Sequence, residues 1–215
     1  MDQVLRDALW AGDLDAVRRL YAEGHDLNAP DTGGDTALSE ALDAFAVGEG
    51  EEPSPERIAF IAALIAMGAD PHLMPAGTGS ILMGPVIWGD CEVLTYLLDL
   101  GVDPNGVCCG PDETPLDLAL FDYWLETYQK PRLCGPLPAP EPAEPSEEEL
   151  RNEDAYLAYL DREADRHGVA RPKGAHVLRR YGALTSPEIA ERLGGTRQDP
   201  IQWRNGRWAL APAKR

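Results

Sequence analysis

The fold is decided by the stretch Leu97-Leu98-Asp99-Leu100-Gly101-Val102-Asp103-Pro104-Asn105, in which an apolar run ends at a glycine and a turn. The second half of this stretch has two earlier counterparts, Gly24-His25-Asp26-Leu27-Asn28 and Gly68-Ala69-Asp70-Pro71-His72. The copies at Gly68 and Gly101 start 33 residues apart, and the first interval is 44 residues. Self-similarity at such a period predicts a repeat architecture in which each unit packs on the next.

A second set of anchors keeps the same phase. Thr36-Ala37-Leu38, Ser80-Ile81-Leu82 and Thr114-Pro115-Leu116 start 44 and 34 residues apart. The longer first interval contains residues 48–55, whose Gly, Glu and Pro content is typical of a loop. The extra length is therefore an insertion into an otherwise regular repeat.

The sequence pattern of each repeat predicts two short helices. A Thr, Ser or Asp in the N-cap position precedes the first helix, and a Gly-Asp pair such as Gly12-Asp13 or Gly89-Asp90 then turns the chain. The second helices, 15–20, 58–65 and 92–98, carry apolar residues three and four positions apart. Because such a pair cannot bury its apolar face alone, neighbouring pairs must stack.

These anchors resemble the ankyrin repeat over residues 3–125. The similarity is closest in Thr114-Pro115-Leu116-Asp117-Leu118-Ala119 and in 97–105. The chain departs from the family's pattern where the usual His after Leu is Ser39, Met83 and Asp117, and where Pro85-Val86 replaces an Ala-Ala pair. The resemblance implies an all-α fold, an ankyrin-like helix-turn-helix solenoid.

The repeat phase is lost after Leu125. Six prolines between Pro131 and Pro145 predict a long Pro/Glu-rich insertion, and 177–185 again resembles the second helix of an ankyrin repeat. The insertion thus interrupts a repeat whose first helix lies near 115–127. The predicted parts are ankyrin-like repeats over 1–130, a linker or insertion over 131–149, a helical part with a final half repeat over 150–194, and a basic tail with a β-hairpin over 195–215.

The end of the chain predicts a small cap. Asn205-Gly206 between Trp203 and Trp208 is a strong hairpin signal, and Ser186-Pro187-Glu188 is typical of a helix start. A C-terminal helix plus β-hairpin is the kind of element that covers the end of a repeat array.

The charge of the chain is strongly acidic and unevenly distributed. The 215 residues contain 37 Asp and Glu against 19 Lys and Arg, a net charge of −18, whereas residues 171–215 hold ten Lys and Arg against three acids. The acidic part repels nucleic acid and anionic membranes and favours a basic partner. We expect a cytoplasmic protein with reduced thiols, because Met1–Arg6 has no signal-peptide pattern and the four cysteines have no C-x-x-C spacing.

Motifs for catalysis are weak. Asp31-Thr32-Gly33 matches the short signature of aspartic proteases, but it falls where a repeat turn is expected, and Gly77-Thr78-Gly79 lacks the remainder of a phosphate loop. A soft-metal site at His72, Cys108 and Cys109 is an alternative use of adjacent turns. The sequence predicts no enzyme, no cofactor and no metal site.

With no convincing catalytic motif, the function that the sequence favours is recognition of a partner by an exposed surface. In the ankyrin phase, the exposed ends of the first helices give one ladder of Trp10, Asp43, Ile87 and Phe121. A second ladder beside it contains Trp88 and Asp122, and the turn tips add further residues. The predicted partner-binding residues are Trp10, Pro30, Thr32, Asp35, Asp43, Met74, Ile87, Trp88, Glu113, Phe121 and Asp122.

Aromatic groups surrounded by acids are suited to a tight interface with a basic protein. We therefore predict a non-catalytic protein-binding module, monomeric when free. Its most concrete form is an immunity protein that neutralises a cognate basic toxin, since some bacterial immunity proteins resemble this small, acidic, irregular ankyrin type. The alternatives are a general ankyrin-repeat adaptor or scaffold, and a DNA-binding regulator that uses the basic tail.

Overall fold

The computed structural model describes residues 1–46, 54–73, 79–108, 112–129, 143–171, 173–204 and 206–211. The chain is mostly helical with one two-stranded antiparallel hairpin near its C-terminus, which confirms the predicted helical class and the hairpin. Its contacts divide it into two compact units, Met1–Gly110 and Pro111–Arg215. The repeat-like helix at 115–124 therefore groups with the C-terminal residues, whereas the sequence analysis drew a boundary at residue 130.

The described residues of the first unit form six helices in three consecutive pairs. The first helices are α1 (Gln3–Trp10), α3 (Ala37–Ala44) and α5 (Met83–Ile87), and the second helices are α2 (Leu14–Ala22), α4 (Arg57–Ala66) and α6 (Cys91–Asp99). Each first helix contacts its own second helix, and α3 also contacts both α1 and α5. The first helices thus form a row that displays one continuous face.

The Gly-Asp turns of the first and third pairs have the same local structure. Gly12 and Gly89 have φ of 64° and 67°, a region that favours glycine, and Asp13 and Asp90 follow them with ψ of 84°. Both aspartates then accept a backbone N–H of the first turn of the next helix. The anchors read from the sequence therefore mark equivalent positions in the structure.

The core of this unit is aliphatic and is contributed by both helices of each pair. Leu5 and Leu9 of α1, Leu38 of α3, Leu64 of α4 and Leu94 of α6 are fully buried. Their spacing follows the three- and four-residue periodicity of the sequence, so the burial of apolar area drives helix pairing.

The second unit joins a repeat-like helix to the C-terminal elements. It contains α7 (Pro115–Trp124), which continues as a π-helical turn over Leu125–Gln129, a 3-10 turn (Glu149–Arg151), and the following helices and strands. These are α8 (Glu153–His167), α9 (Gly174–Arg180), α10 (Ser186–Arg192), β1 (Ile201–Arg204) and β2 (Arg207–Leu210).

Helix α7 contacts α9, although about fifty residues separate them, and it also contacts α8. A polar cluster links all three helices, because Tyr123 of α7 donates to Asp161 of α8 at 2.5 Å and His176 of α9 lies 3.0 Å from the same carboxylate. Two helices that lie far apart in the sequence therefore pack against each other in this unit.

The insertion itself lies largely outside the described residues, which resume at residue 143. There Ala143 accepts a hydrogen bond from the Tyr159 hydroxyl at 2.8 Å, and its N–H donates to Glu163 at 3.2 Å. Both partners belong to α8. The C-terminal end of the insertion is therefore bound to the helix that follows it.

The hairpin packs on the last helix. Trp203 is paired with Trp208 across β1 and β2, with ring centroids 5.1 Å apart, as a cross-strand aromatic pair requires. Ile201 joins Ile189 and Leu184 in a small apolar cluster. None of the helices in the described part of the chain is long and apolar enough to cross a membrane.

Candidate functional site

The row α1–α3–α5 carries two exposed tryptophans on its surface. Trp10 at the end of α1 is 56% exposed and Trp88, which ends α5, is 48% exposed, and Ile87 beside it is also exposed. Large apolar side chains that remain this exposed on ordered helices are uncommon away from binding surfaces when they occur together. This face is therefore the first candidate for a site.

Each indole lies beside a carboxylate of α3. The Trp10 Nε1–H donates to Glu40 Oε2 at 2.6 Å, and the Trp88 side chain is close enough to the Asp43 carboxylate to act on its pKa. Glu40 and Asp43 are three residues apart, so they lie on the same side of the helix. We call these four residues together with Ile87 the indole–acid face. The hydrogen bond to Glu40 fixes the orientation of the Trp10 ring, and a ring held in this way has less conformational entropy to lose in an interface.

The surroundings of Asp43 disfavour the ionised form of its carboxyl group. Partial burial raises the pKa of the Asp43 carboxyl, the Trp88 hydrogen bond opposes this rise, and the negative charges of Asp35 and Glu40 add to it. A carboxylate in such surroundings favours the arrival of a cation.

A second group of acids meets at the turn before α3. Oxygens of Asp31, Asp35 and Glu40 lie within 4.8 Å of one another. Arg6 of α1 supplies positive charge to this group, since its Nε lies 2.7 Å from Glu40 Oε1 and its Nη2 contacts Asp31. Asp31 and Glu40 therefore have a cation of their own, whereas the ion pairs of Arg6 do not include Asp35.

The same turn contains the Asp31-Thr32-Gly33 triplet. Asp31 Oδ1 accepts the backbone N–H of Gly33 at 2.7 Å and that of Asp35 at 2.9 Å, and Oδ2 faces Arg6. Both oxygens are engaged in holding the turn, as the repeat phase predicted for this position.

The predicted site residues fall into three groups. Trp10, Asp43, Ile87 and Trp88 are brought together by the indole–acid face, and Asp35, with exposed Pro30 and Thr32, lies on the turn before α3. Met74 lies outside the described residues. Glu113, Phe121 and Asp122 belong to the second unit.

In the second unit, Phe121 is 55% exposed and stacks on Trp124 with ring centroids 6.2 Å apart. Burial raises the pKa of Glu113, and the charges of Asp117 and Asp112 act in the same direction. The second unit thus also carries an exposed aromatic residue on α7 and a group of acids at the start of that helix. Among the described residues, His72 and Cys108 do not gather a third metal-ligating side chain, and Cys109 lies outside them.

Sequence reasoning missed Glu40 and Arg6. The ladder aligned Trp10 with Asp43, but helical side chains lean towards the N-terminus of their helix, and Trp10 reaches the preceding turn of α3 at Glu40. The signal available was the i, i+3 spacing of Glu40 and Asp43 in a helix that is otherwise mostly apolar.

The first unit has few cations to offset its acids. Residues 1–110 contain 19 Asp and Glu and only four Arg, a net charge of −15. Three of these arginines are already paired with acids of the same unit, Arg6 as above, Arg18 with Asp15, and Arg57 with Asp90. The unit therefore keeps an excess of negative charge, and within the indole–acid face Arg6 offsets the charge of Glu40 but forms no ion pair with Asp43.

The basic C-terminal segment, residues 171–215, is in contrast partly used within the second unit, where three of its ten Lys and Arg are paired with acids. Arg179 pairs with Asp154 at 2.7 Å and with Glu188 at 2.8 Å, and Arg197 contacts both Glu153 and Glu191. Side chains held in this way are less available to phosphates than free ones.

Comparison of the chain with protein-family models gives no match, and comparison with curated proteins gives no significant match.

Proposed function

We propose that this chain is a non-catalytic protein-binding module whose indole–acid face receives a basic protein partner. The observation that carries the proposal is the pair of exposed indoles, Trp10 and Trp88, each of which lies beside a carboxylate of α3. Tryptophan is among the residues that contribute most to interfaces, and surrounding charges set the sign and the rate of association.

An ankyrin-like architecture is part of this proposal. It is supported by the pairing of consecutive helices, by the contacts that join α1, α3 and α5, and by the matching turns at Gly12-Asp13 and Gly89-Asp90. In such an array the first helices and the turns before them form the binding surface, which is where the indole–acid face lies.

The most concrete form of this function is immunity against a toxin that acts on nucleic acids, exercised in the cytoplasm. An enzyme with a polyanionic substrate carries a basic active-site cleft, because it must bind phosphates. A surface with net charge −15 and few free cations is complementary to such a cleft and accelerates its capture. A general adaptor is the alternative within the same class, and it requires only moderate affinity.

The test is affinity capture with the full chain from a lysate of the source cells, washed at low and at high salt and analysed by mass spectrometry. Immunity predicts one stoichiometric basic partner, captured rapidly and with a salt-sensitive association rate. Expressing that partner alone must then arrest growth, and co-expressing this chain must restore it. Several weak partners, none of them toxic, would favour the adaptor, and binding only to acidic proteins would contradict the proposal.

DNA binding receives less support from the same geometry. Arg171, Arg179 and Arg197, three of the ten Lys and Arg in residues 171–215, are engaged by acids of their own unit. A DNA-binding regulator needs such side chains on the phosphates, with affinity that falls steeply as salt rises.

A further inference from the structure

The first unit contains an open cavity of about 290 Å³ beside the indole–acid face. Asp35 and Asp43 supply carboxylates to its wall, Leu42 and Met83 supply apolar surface, and Ser39 and Gly84 are also among the residues that line it. Pockets for small-molecule ligands begin at about 300 Å³. The volume therefore suits one long side chain better than a cofactor or a folded segment.

We propose that this cavity is a subsite for a single arginine side chain of the basic protein partner. The inference rests on the proposed function and deepens it, because it names the group that the first unit recognises. Asp35 and Asp43 bind the guanidinium, and Leu42 and Met83 contact the methylene stem.

The charges of the residues that line the cavity favour a cation as its ligand. Within the described residues, the ion pairs of Arg6 go to Asp31 and Glu40, and no Lys or Arg forms an ion pair with Asp35 or Asp43. The guanidinium of Arg6 thus serves Asp31 and Glu40, whereas Asp35 and Asp43, which line the cavity, have no such partner among the described residues. Asp43 can accept further hydrogen bonds, since a carboxylate offers about four lone-pair sites.

The number and arrangement of N–H donors distinguish arginine from lysine as the ligand of two carboxylates. A guanidinium is planar, carries five N–H donors and can bind two carboxylates from different directions, whereas an ammonium is a compact and strongly hydrated charge. The burial that raises the pKa of Asp43 acts in the same sense, because a bound cation removes the cost of its charge.

The experiment is a titration of the isotope-labelled full chain with N-acetyl-arginine methylamide, followed by NMR. We expect the backbone N–H signals of Ser39 and Gly84 and the indole signal of Trp88 to shift, with saturation in the millimolar range. N-acetyl-lysine methylamide is the comparison probe, and it must bind more weakly. Equal shifts with both probes, or shifts confined to other regions, would overturn the proposal.

Two variants make the assignment specific. Asp43→Asn and Asp35→Asn must each lower the affinity for the arginine probe about fivefold, which is the effect of one charge at contact distance in water. The matched control is Glu23→Gln, an exposed acid at the end of α2 that changes the net charge equally. If Glu23→Gln weakens the probe as much as Asp43→Asn, the binding is non-specific attraction and the subsite is wrong.

The outcome separates the subsite from the proposed function. If the arginine probe does not bind but a captured basic partner still depends on Trp10 and Trp88, only the subsite fails. If no basic partner is captured and the probe binds as expected, the subsite stands and the proposed function fails.

Discussion

Thr114 Oγ1 donates a hydrogen bond to the carbonyl of Leu184 at 2.8 Å, although 70 residues separate them in the chain. Thr114 is the N-cap of α7 and Leu184 follows α9, so this bond joins the two helices that the insertion separates. Asp117 strengthens the junction, because its carboxylate accepts the N–H of Ser186 and the Thr114 backbone N–H. The N-cap of α7 is therefore bound directly to the segment that follows α9.

Thr114→Val tests this junction. The valine keeps the shape but removes both the cap and the donor to Leu184, and the free energy of unfolding is expected to fall by about 1–2 kcal/mol. Urea denaturation followed by circular dichroism measures the loss. Thr32→Val, in an exposed turn, is the control and should leave stability unchanged within error. A loss no larger than that of the control would show that the junction contributes nothing.

Much of the fold could be predicted because short local sequence patterns determine its helices and turns. The Gly-Asp turns, the apolar spacing and the flanked Asn-Gly hairpin are determined by residues close in sequence. The contact between α7 and α9 was predictable only because 177–185 preserves the repeat pattern. Where α8 docks was not predictable, because it depends on single hydrogen bonds such as Tyr123 to Asp161.

A second long-range contact, between Arg57 and Asp90, stabilises the first unit. Arg57 donates to Asp90 at 2.6 and 3.1 Å and to Glu92 at 2.6 Å, and it is 4% exposed. Replacing it by methionine leaves the half-buried Asp90 carboxylate without its cation. Arg57→Met is therefore expected to lower the free energy of unfolding by about 2–3 kcal/mol.

The control is Arg18→Met, which breaks an exposed pair with Asp15 and should cost less than about 0.5 kcal/mol. Acid denaturation gives a further check. Burial alone would raise the pKa of Asp90, but the hydrogen bonds from Arg57 and the backbone outweigh it and hold that pKa below its ordinary value of 3.8. Its contribution is complete above that value and is lost as pH falls through the lower folded-state pKa. Arg57→Met should flatten this acid loss, and an unchanged pH profile would contradict the assignment.

The pKa shift of Asp43 is expected to change the pH dependence of stability in the opposite direction from that of Asp90. Its folded-state pKa is raised, chiefly by burial, so its charge destabilises the folded chain at neutral pH and ceases to do so as pH falls below both pKa values. Asp43→Asn should raise the free energy of unfolding at pH 7 by a few tenths of a kcal/mol, a small effect because the exposed side chain is screened. Urea denaturation at pH 7 and at about pH 3 measures this difference, with Glu23→Gln as the control of equal charge. A gain of the same size at both pH values would mean that the charge of Asp43 is not its origin.

The candidate site was less predictable than the fold. The ladder drawn from the repeat phase contained both indoles, but it could not identify their partners, since hydrogen bonds depend on the direction of side chains across helices. Arg57 carried a signal that went unused, because it lies 33 residues before Asp90, one repeat period away. A buried arginine that opens a helix otherwise free of charge points to a partner in the next repeat.

The last prediction concerns the indole–acid face itself. The double substitution Trp88→Ala with Asp43→Lys removes one exposed ring and reverses the charge beside it, so the affinity for the captured basic partner is expected to fall at least a thousandfold. Titration calorimetry with the purified partner measures the loss, and far-ultraviolet circular dichroism must show the helical content unchanged. Tyr21→Ala with Glu23→Lys makes the same type of change on α2, where Tyr21 is 45% exposed, and should retain affinity within about fivefold. Equal losses in both variants would indicate attraction by net charge alone, and unchanged affinity in the first would show that the partner binds elsewhere.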